Sequence, residues 1–156
     1  MLDMFSLNSN YPYCVCHSLL QSRIHFCGSI YHGVAKKHLS RLQRVMNAMK
    51  RITRSADVQN VSIENFVAAK VAVLCYKAIT NCSPSYISDL IHYKSHSRAL
   101  RSNDQYLLNI PHTQSASGSR TFSVAAPRIW NVIPLQIRQT ESLQRFTQLI
   151  NNHFAI

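Results

Sequence analysis

Cysteine and histidine are the side chains that zinc prefers as ligands, and five of them stand close together near the start of the chain. They are Cys14, Cys16, His17, His25 and Cys27. Their spacing is unlike that of a zinc site, because a single residue separates the first two cysteines where zinc knuckles use two to four. Cys27 also falls in phase with the apolar face of a predicted helix. We therefore expect Cys27 to pack in a core, and we expect no metal and no other cofactor.

Carboxylates are the second group that could do chemistry, because polymerases and nucleases cluster them to hold two divalent metals. The six acids of this chain are isolated from one another in sequence: Asp3, Asp57, Glu64, Asp89, Asp104 and Glu141. Three glycines in the whole chain are also too few for a loop that cradles a nucleotide phosphate. We predict no catalytic residue, no small-molecule substrate and no enzyme activity.

Basic residues dominate the charge, since 17 lysines and arginines against six acids give a formal net charge of +11. This imbalance favours a polyanionic partner, and we expect RNA or DNA bound through its backbone without sequence preference. The alternative is a solvated basic surface with no partner. Two sets of residues are the candidates for phosphate contact: Lys37, Arg41, Arg44, Arg51 and Arg54 in one, and Arg98, Arg101 and Arg128 in the other.

The first basic set lies on a predicted helix at residues 36–54. Leu39, Leu42, Val45, Met46, Met49 and Ile52 form an apolar stripe at helical spacing on this segment. The arginines and lysines fall within about half of the helical wheel, on the opposite side. No acid occurs between Asp3 and Asp57, so nothing within the segment neutralises the basic side. The pattern predicts a helix that packs on one side and presents positive charge on the other.

The rest of the chain indicates a mainly α protein, a small helical domain with one short β-hairpin. We predict helices at about 18–32, 36–54, 63–80, 84–91, 125–131 and 141–153, and hairpin strands at 106–110 and 120–124. Residues 1–17 lack a sustained period and are expected to be poorly ordered, which leaves 18–156 as the domain. The helix at 63–80 is apolar on nearly all sides, as expected for the centre of a core.

Trp130 is the only tryptophan and could either stack on a nucleic-acid base or anchor the core. Val124, Ile129, Val132 and Ile133 surround it in sequence, which favours the anchor. We predict that Trp130, Phe122 and Pro127 together have a structural role.

The cysteines and the first residues bear on the compartment. Five cysteines are an odd number without the framework of a small secreted fold, so reduced thiols are expected. The first twenty residues do not resemble a signal peptide, and no apolar run approaches the ~20 residues of a membrane span. We expect a soluble intracellular protein, nuclear or cytoplasmic, without a membrane partner.

Three blocks of the sequence resemble the carboxy-terminal segment of reverse transcriptases from non-LTR, LINE-type retrotransposons of the jockey-like kind. The matching positions in the first block are Ser22-Arg23, Cys27, Leu42-Gln43-Arg44-Val45 and Asn47. The second block matches at Tyr76-Lys77-Ala78, Pro84, Tyr86 and Asp89-Leu90. The third matches at Ser97-Arg98, Leu100-Arg101-Ser102, Phe122-Ser123-Val124-Ala125-Ala126-Pro127, Trp130-Asn131, Pro134 and the helix around Phe146. The blocks keep the family's order over about residues 18–154.

The resemblance implies a non-catalytic remnant of such a polymerase. The family's metal-binding palm and its endonuclease have no counterpart in these residues, so no catalytic position transfers to this chain. The rest of a reverse transcriptase is then an expected partner, beside RNA or DNA. The alternatives are a structural or protein-interaction module, and a degenerate pseudogene product that does not bind nucleic acid.

Overall fold

The structure, a computed structural model, describes residue 18 and residues 22–26, 28–53, 62–95 and 106–155. Seven α-helices account for most of this part of the chain, which confirms the mainly α prediction. They are α1 (Ser22–Phe26), α2 (Lys36–Thr53), α3 (Ile63–Ile79), α4 (Ser85–Ser88), α5 (Phe122–Val132), α6 (Leu135–Arg138) and α7 (Leu143–Phe154). Two 3-10 turns, Gly28–Tyr31 and Gly118–Arg120, add to them. The predicted N-terminal segment at 1–17 lies outside the described residues.

Helix α3 is the centre of the fold. Ser62 starts it, because its side chain accepts a hydrogen bond from the backbone N–H of Glu64 at 3.3 Å. Its apolar residues are buried on several sides and pack against α5, α7 and the 3-10 turn at Gly28–Tyr31. The helix ends at Ile79 with Thr80 as its C-cap, after which Asn81 adopts a positive φ of 55°. A helix covered on so many sides explains why its sequence is apolar around most of its circumference.

Three aromatic rings join the central helix to the last part of the chain. Tyr76 of α3 stacks on Phe146 of α7 with 4.3 Å between ring centroids, and Trp130 of α5 lies 5.8 Å from the same phenylalanine. The Tyr76 hydroxyl donates to the Thr140 carbonyl at 2.8 Å, so the ring's polar end is also satisfied. This trio lies in the larger of two hydrophobic clusters, into which Ile133 and Ile150 are also buried.

The predicted hairpin is wrong. Its first half, residues 106–110, makes one isolated antiparallel bridge, in which Leu108 pairs with Tyr93. Its second half is not a strand, because α5 already begins at Phe122. Val124, Ala125 and Ala126 are buried in succession, which a helix packed on α3 permits but the alternating faces of a strand do not.

Three predicted helices have different bounds in the structure. The predicted helix at 18–32 contains the short α1 and a separate 3-10 turn in its described part, and the one predicted at 84–91 is limited to α4. The helix predicted at 125–131 starts three residues earlier, so Pro127 lies inside α5 rather than near its start. Pro127 removes one intrahelical hydrogen bond, while its ring is fully buried, which contributes favourable apolar burial.

Helix α2 packs on the first half of α3 and forms the second hydrophobic cluster. Leu39, Leu42 and Met46 are half-buried against Ile24 and residues 63–67. Gln43 adds a polar link, because its Oε1 accepts from the backbone N–H of Ile63 at 2.7 Å while its Nε2 donates to Asn47 at 3.0 Å. These contacts fix which side of α2 is turned away from α3.

Candidate nucleic-acid interface

The side of α2 opposite its packing contacts carries a row of exposed basic side chains. Lys37, Arg41, Arg44 and Arg51 are exposed and follow one another at intervals of four, three and seven residues. At 1.5 Å rise per residue they extend over about 21 Å along the helix. We call these four residues the basic face. The intervals keep them on one side of the helix, and the contacts of Leu39, Leu42 and Met46 with the second cluster turn that side outward.

Helix α2 contains no acidic residue, so its own side chains leave the basic face uncompensated. One carboxylate comes near its first turn, because Glu64 at the start of α3 lines a shallow cavity of about 480 Å³ with Lys36 and Lys37. The backbone N–H groups of Ile63 and Glu64 point to Gln43 and Ser62, so they are occupied. Arg41, Arg44 and Arg51 do not line this cavity, so within the described part of the chain the carboxylate near α2 is at its Lys36–Lys37 end.

Of the other four predicted phosphate-binding residues, the structure describes one. Arg54, Arg98 and Arg101 lie outside the described residues. Arg128 is exposed on α5, a helix that packs on α3. The structure thus groups four of the eight predicted residues and leaves Arg128 on a separate helix.

The predicted structural residues lie in or against the core. Trp130 is 2% exposed, and its Nε1 donates to the Tyr106 carbonyl at 2.9 Å. A ring packed between core neighbours has no free face for a nucleic-acid base. Pro127 is fully buried, and Phe122 is half-buried against the same cluster.

Most of the cysteine and histidine group lies outside the described residues. His25 is described, and it is exposed with its ring 4.7 Å from that of Phe66. No group of three or more potential metal ligands occurs within the part of the chain that the structure describes. Cys75 is completely buried in α3, and burial raises the pKa of its thiol to about 12. A thiol in that state is a packing group and not a nucleophile.

An open apolar cleft lies between α3 and the 3-10 turn at Gly28–Tyr31, and sequence reasoning missed it. It has a volume of about 330 Å³, and we call it the groove. Its walls come from four segments: residues 29–32, the middle of α3, residues 86–90 around α4, and residues 120–125. No periodicity relates segments so far apart, so only the fold reveals that they meet. Its lining residues are Ser29, Ile30, His32, Val71, Leu74, Tyr86, Ile87, Leu90, Arg120, Phe122 and Ala125.

Comparison with family models, curated proteins and solved structures finds no match to this chain. Among the described residues, no helix combines the length and the apolar character needed to cross a membrane. The features that bear on function are therefore the basic face, the groove and the resemblance of the sequence blocks.

Proposed function

We propose that this chain is a non-catalytic module that binds the backbone of RNA or DNA through the basic face of α2. The observation that carries the proposal is the arrangement of Lys37, Arg41, Arg44 and Arg51 as one exposed row on a helix without carboxylates. Phosphate groups repeat along a nucleic acid, so a row of cations meets several of them at once.

The packing of α2 supports this use of its basic face. Long cationic side chains on a helix held rigidly by another helix lose less freedom on binding than the same side chains on a mobile segment. The contacts of Leu39, Leu42 and Met46 and the hydrogen bonds of Gln43 hold α2 on α3. Binding should therefore need little rearrangement of the protein.

We further propose that the chain descends from the carboxy-terminal segment of a LINE-type reverse transcriptase. The support is the order of the three sequence blocks and the role of their residues in the fold. Tyr76 and Trp130 belong to these blocks and meet at the core, and Asn131 holds the segment at Leu108. In such a polymerase a basic helix would hold template RNA or target DNA.

Binding is tested with fluorescently labelled single-stranded RNA and duplex DNA at low salt. We expect Arg44→Ala/Arg51→Ala to weaken both by about tenfold, equivalent to about 1.4 kcal/mol over two phosphate contacts. The effect should be the same for two unrelated nucleic-acid sequences, because phosphate contacts carry no sequence information.

The matched control is Lys94→Ala/Arg145→Ala, which removes two exposed charges that lie outside α2. It lowers the net charge equally, so a general charge effect would weaken binding as much as the α2 variant does. The proposal predicts a clearly smaller effect for the control. If the two variants weaken binding equally, or if the wild type does not bind, the protein-interaction alternative would replace this proposal.

A further inference from the structure

The rim of the groove exposes large apolar side chains above a buried apolar floor. Ile30 is 71% exposed, Tyr86 is 68% exposed and Leu90 is 45% exposed, whereas Val71 and Ala125 beneath them are each 2% exposed. Exposed apolar side chains grouped around a concave site are characteristic of a binding surface. None of the lining residues belongs to α2, so the groove is separate from the basic face.

The polar groups of the groove are basic or neutral. Arg120 and His32 line it, and none of the described residues that line it is acidic. Arg120 is exposed, and its side chain lies against Gly33, where a methyl group on the glycine would come within 2.6 Å of the arginine Cγ. This contact holds the stem of Arg120 beside the 3-10 turn that carries Ile30.

His32 presents a neutral hydrogen-bond donor. Its Nδ1 is buried without a partner, and burial lowers the pKa of the ring. A buried N–H without a partner costs more than a buried lone pair, so the proton of the neutral ring belongs on Nε2. His32 lines the groove and its Nδ1 is closed to solvent, so Nε2 is the ring nitrogen left to meet a ligand there.

We propose that the groove binds a peptide segment of a partner protein that inserts a bulky aliphatic side chain and places a carboxylate next to it. The aliphatic side chain fills the space between Ile30, Tyr86 and Leu90. The carboxylate accepts hydrogen bonds from Arg120 and from His32 Nε2. A volume of about 330 Å³ suits one or two side chains rather than a large ligand.

A peptide fits better than a nucleic-acid base. A base needs a stacking face and partners for its polar edges. Tyr86 offers an exposed ring at the rim, but five of the lining residues are aliphatic side chains of leucine, isoleucine or valine, which offer neither. Arg120 could contact a phosphate as well as a carboxylate, so the experiment includes an oligonucleotide.

The probe is a fluorescein-labelled amphipathic peptide of about twelve residues, with leucines at helical spacing and a glutamate beside each. Two matched peptides replace the glutamates by glutamine or the leucines by serine. Anisotropy is measured at about 0.3 M salt, so that attraction to the strongly basic protein as a whole is screened. We expect a Kd between about 1 and 100 μM for the first peptide and at least tenfold weaker binding of the other two.

Protein variants locate the site. Ile30→Ser and Arg120→Gln should each weaken the peptide by about tenfold. The control is Val132→Ser, which changes a side chain that is 79% exposed on α5 and does not line the groove. Arg44→Ala/Arg51→Ala is the second control, because an acidic peptide held by the basic face would respond to it. Thermal melting verifies the fold of each variant.

The outcomes separate the possibilities. Loss of binding in Ile30→Ser and Arg120→Gln, with both controls unchanged, supports the proposal. Equal binding of the glutamine peptide, equal loss in Val132→Ser or no binding of the first peptide overturns it. The proposal is also overturned if the groove variants weaken binding of an oligouridylate probe but not of the peptide, because the groove would then bind nucleic acid. Nucleic-acid binding through α2 is measured in a separate experiment, so the two proposals can fail independently.

Discussion

The side-chain amide of Asn131 forms two hydrogen bonds with the backbone of Leu108. Its Oδ1 accepts from the Leu108 N–H at 2.9 Å, and its Nδ2 donates to the Leu108 carbonyl at 3.0 Å. Antiparallel pairing with residues 92–94 occupies the other side of this segment, because Asn109 donates to the His92 carbonyl and Lys94 donates to the Leu107 carbonyl. A single side chain at the end of α5 thus does what a neighbouring strand would do.

Asn131→Ala should cost about 2 to 4 kcal/mol of unfolding free energy. The change leaves both backbone groups of Leu108 without partners, and this residue is 1% exposed, so water cannot easily replace the amide. Urea denaturation measures the effect. Asn152→Ala on the exposed side of α7 is the control and should stay within about 0.5 kcal/mol. Equal stabilities of the two variants would show that the Asn131 amide is dispensable.

The hydroxyl of the buried Tyr76 should contribute measurably to stability. Tyr76→Phe keeps the stack on Phe146 but removes the bond to the Thr140 carbonyl, so we expect a loss of about 1 kcal/mol. Tyr86→Phe at the groove rim, where the ring is 68% exposed, should change stability by less than about 0.5 kcal/mol.

Trp130→Ala should cost about 3 to 5 kcal/mol of unfolding free energy, because it removes an indole ring from the same hydrophobic cluster. A small effect of Trp130→Ala would contradict its place in the core.

Gly33 has a positive φ of 74° and no room for a side chain beside Arg120. Gly33→Ala should destabilise the fold by about 1 to 3 kcal/mol, through backbone strain and the contact with Arg120. Gly33→Asn tolerates the backbone conformation better but has the same Cβ, so it measures the steric part. If alanine and asparagine cost the same, the steric contact dominates; if neither has an effect, the turn has a different conformation.

Cys75 and Cys82 should differ in reactivity. Cys75 is buried with a pKa raised to about 12, whereas Cys82 is exposed after α3. Iodoacetamide at pH 8 should label Cys82 within minutes and Cys75 only on unfolding, as read by peptide mass spectrometry. The raised pKa also means that protonated Cys75 favours the folded state, a contribution that is complete below the unfolded pKa near 9 and is lost as pH rises toward 12. Cys75→Ala should remove that part of the alkaline loss of stability. Rapid labelling of native Cys75 would contradict its burial.

The sequence predicted those parts of the fold and of the candidate site that depend on residues close together in the chain. Helices α2, α3 and α7 lie where long apolar periodicities predict them, because packing on one face repeats every turn. The hairpin prediction was wrong because Phe122 and Val124 are residue types typical of strands. Only the contact of α5 with α3 shows that successive residues are buried there. The Asn131 amide and the groove depend on residues far apart in the chain. The basic face of α2 was visible in advance, since its spacing is local.

The most direct test of nucleic-acid binding through α2 is the dependence of affinity on salt. Each phosphate contact releases counterions, so four contacts predict a fall of log affinity with log salt of about 3.6 for duplex DNA and about 2.8 for single strands. Arg44→Ala/Arg51→Ala should lower these slopes by about 1.8 and 1.4, because two contacts are lost. Lys94→Ala/Arg145→Ala should leave them unchanged. Slopes that do not change in the α2 variant, with its fold intact, would contradict binding through the basic face.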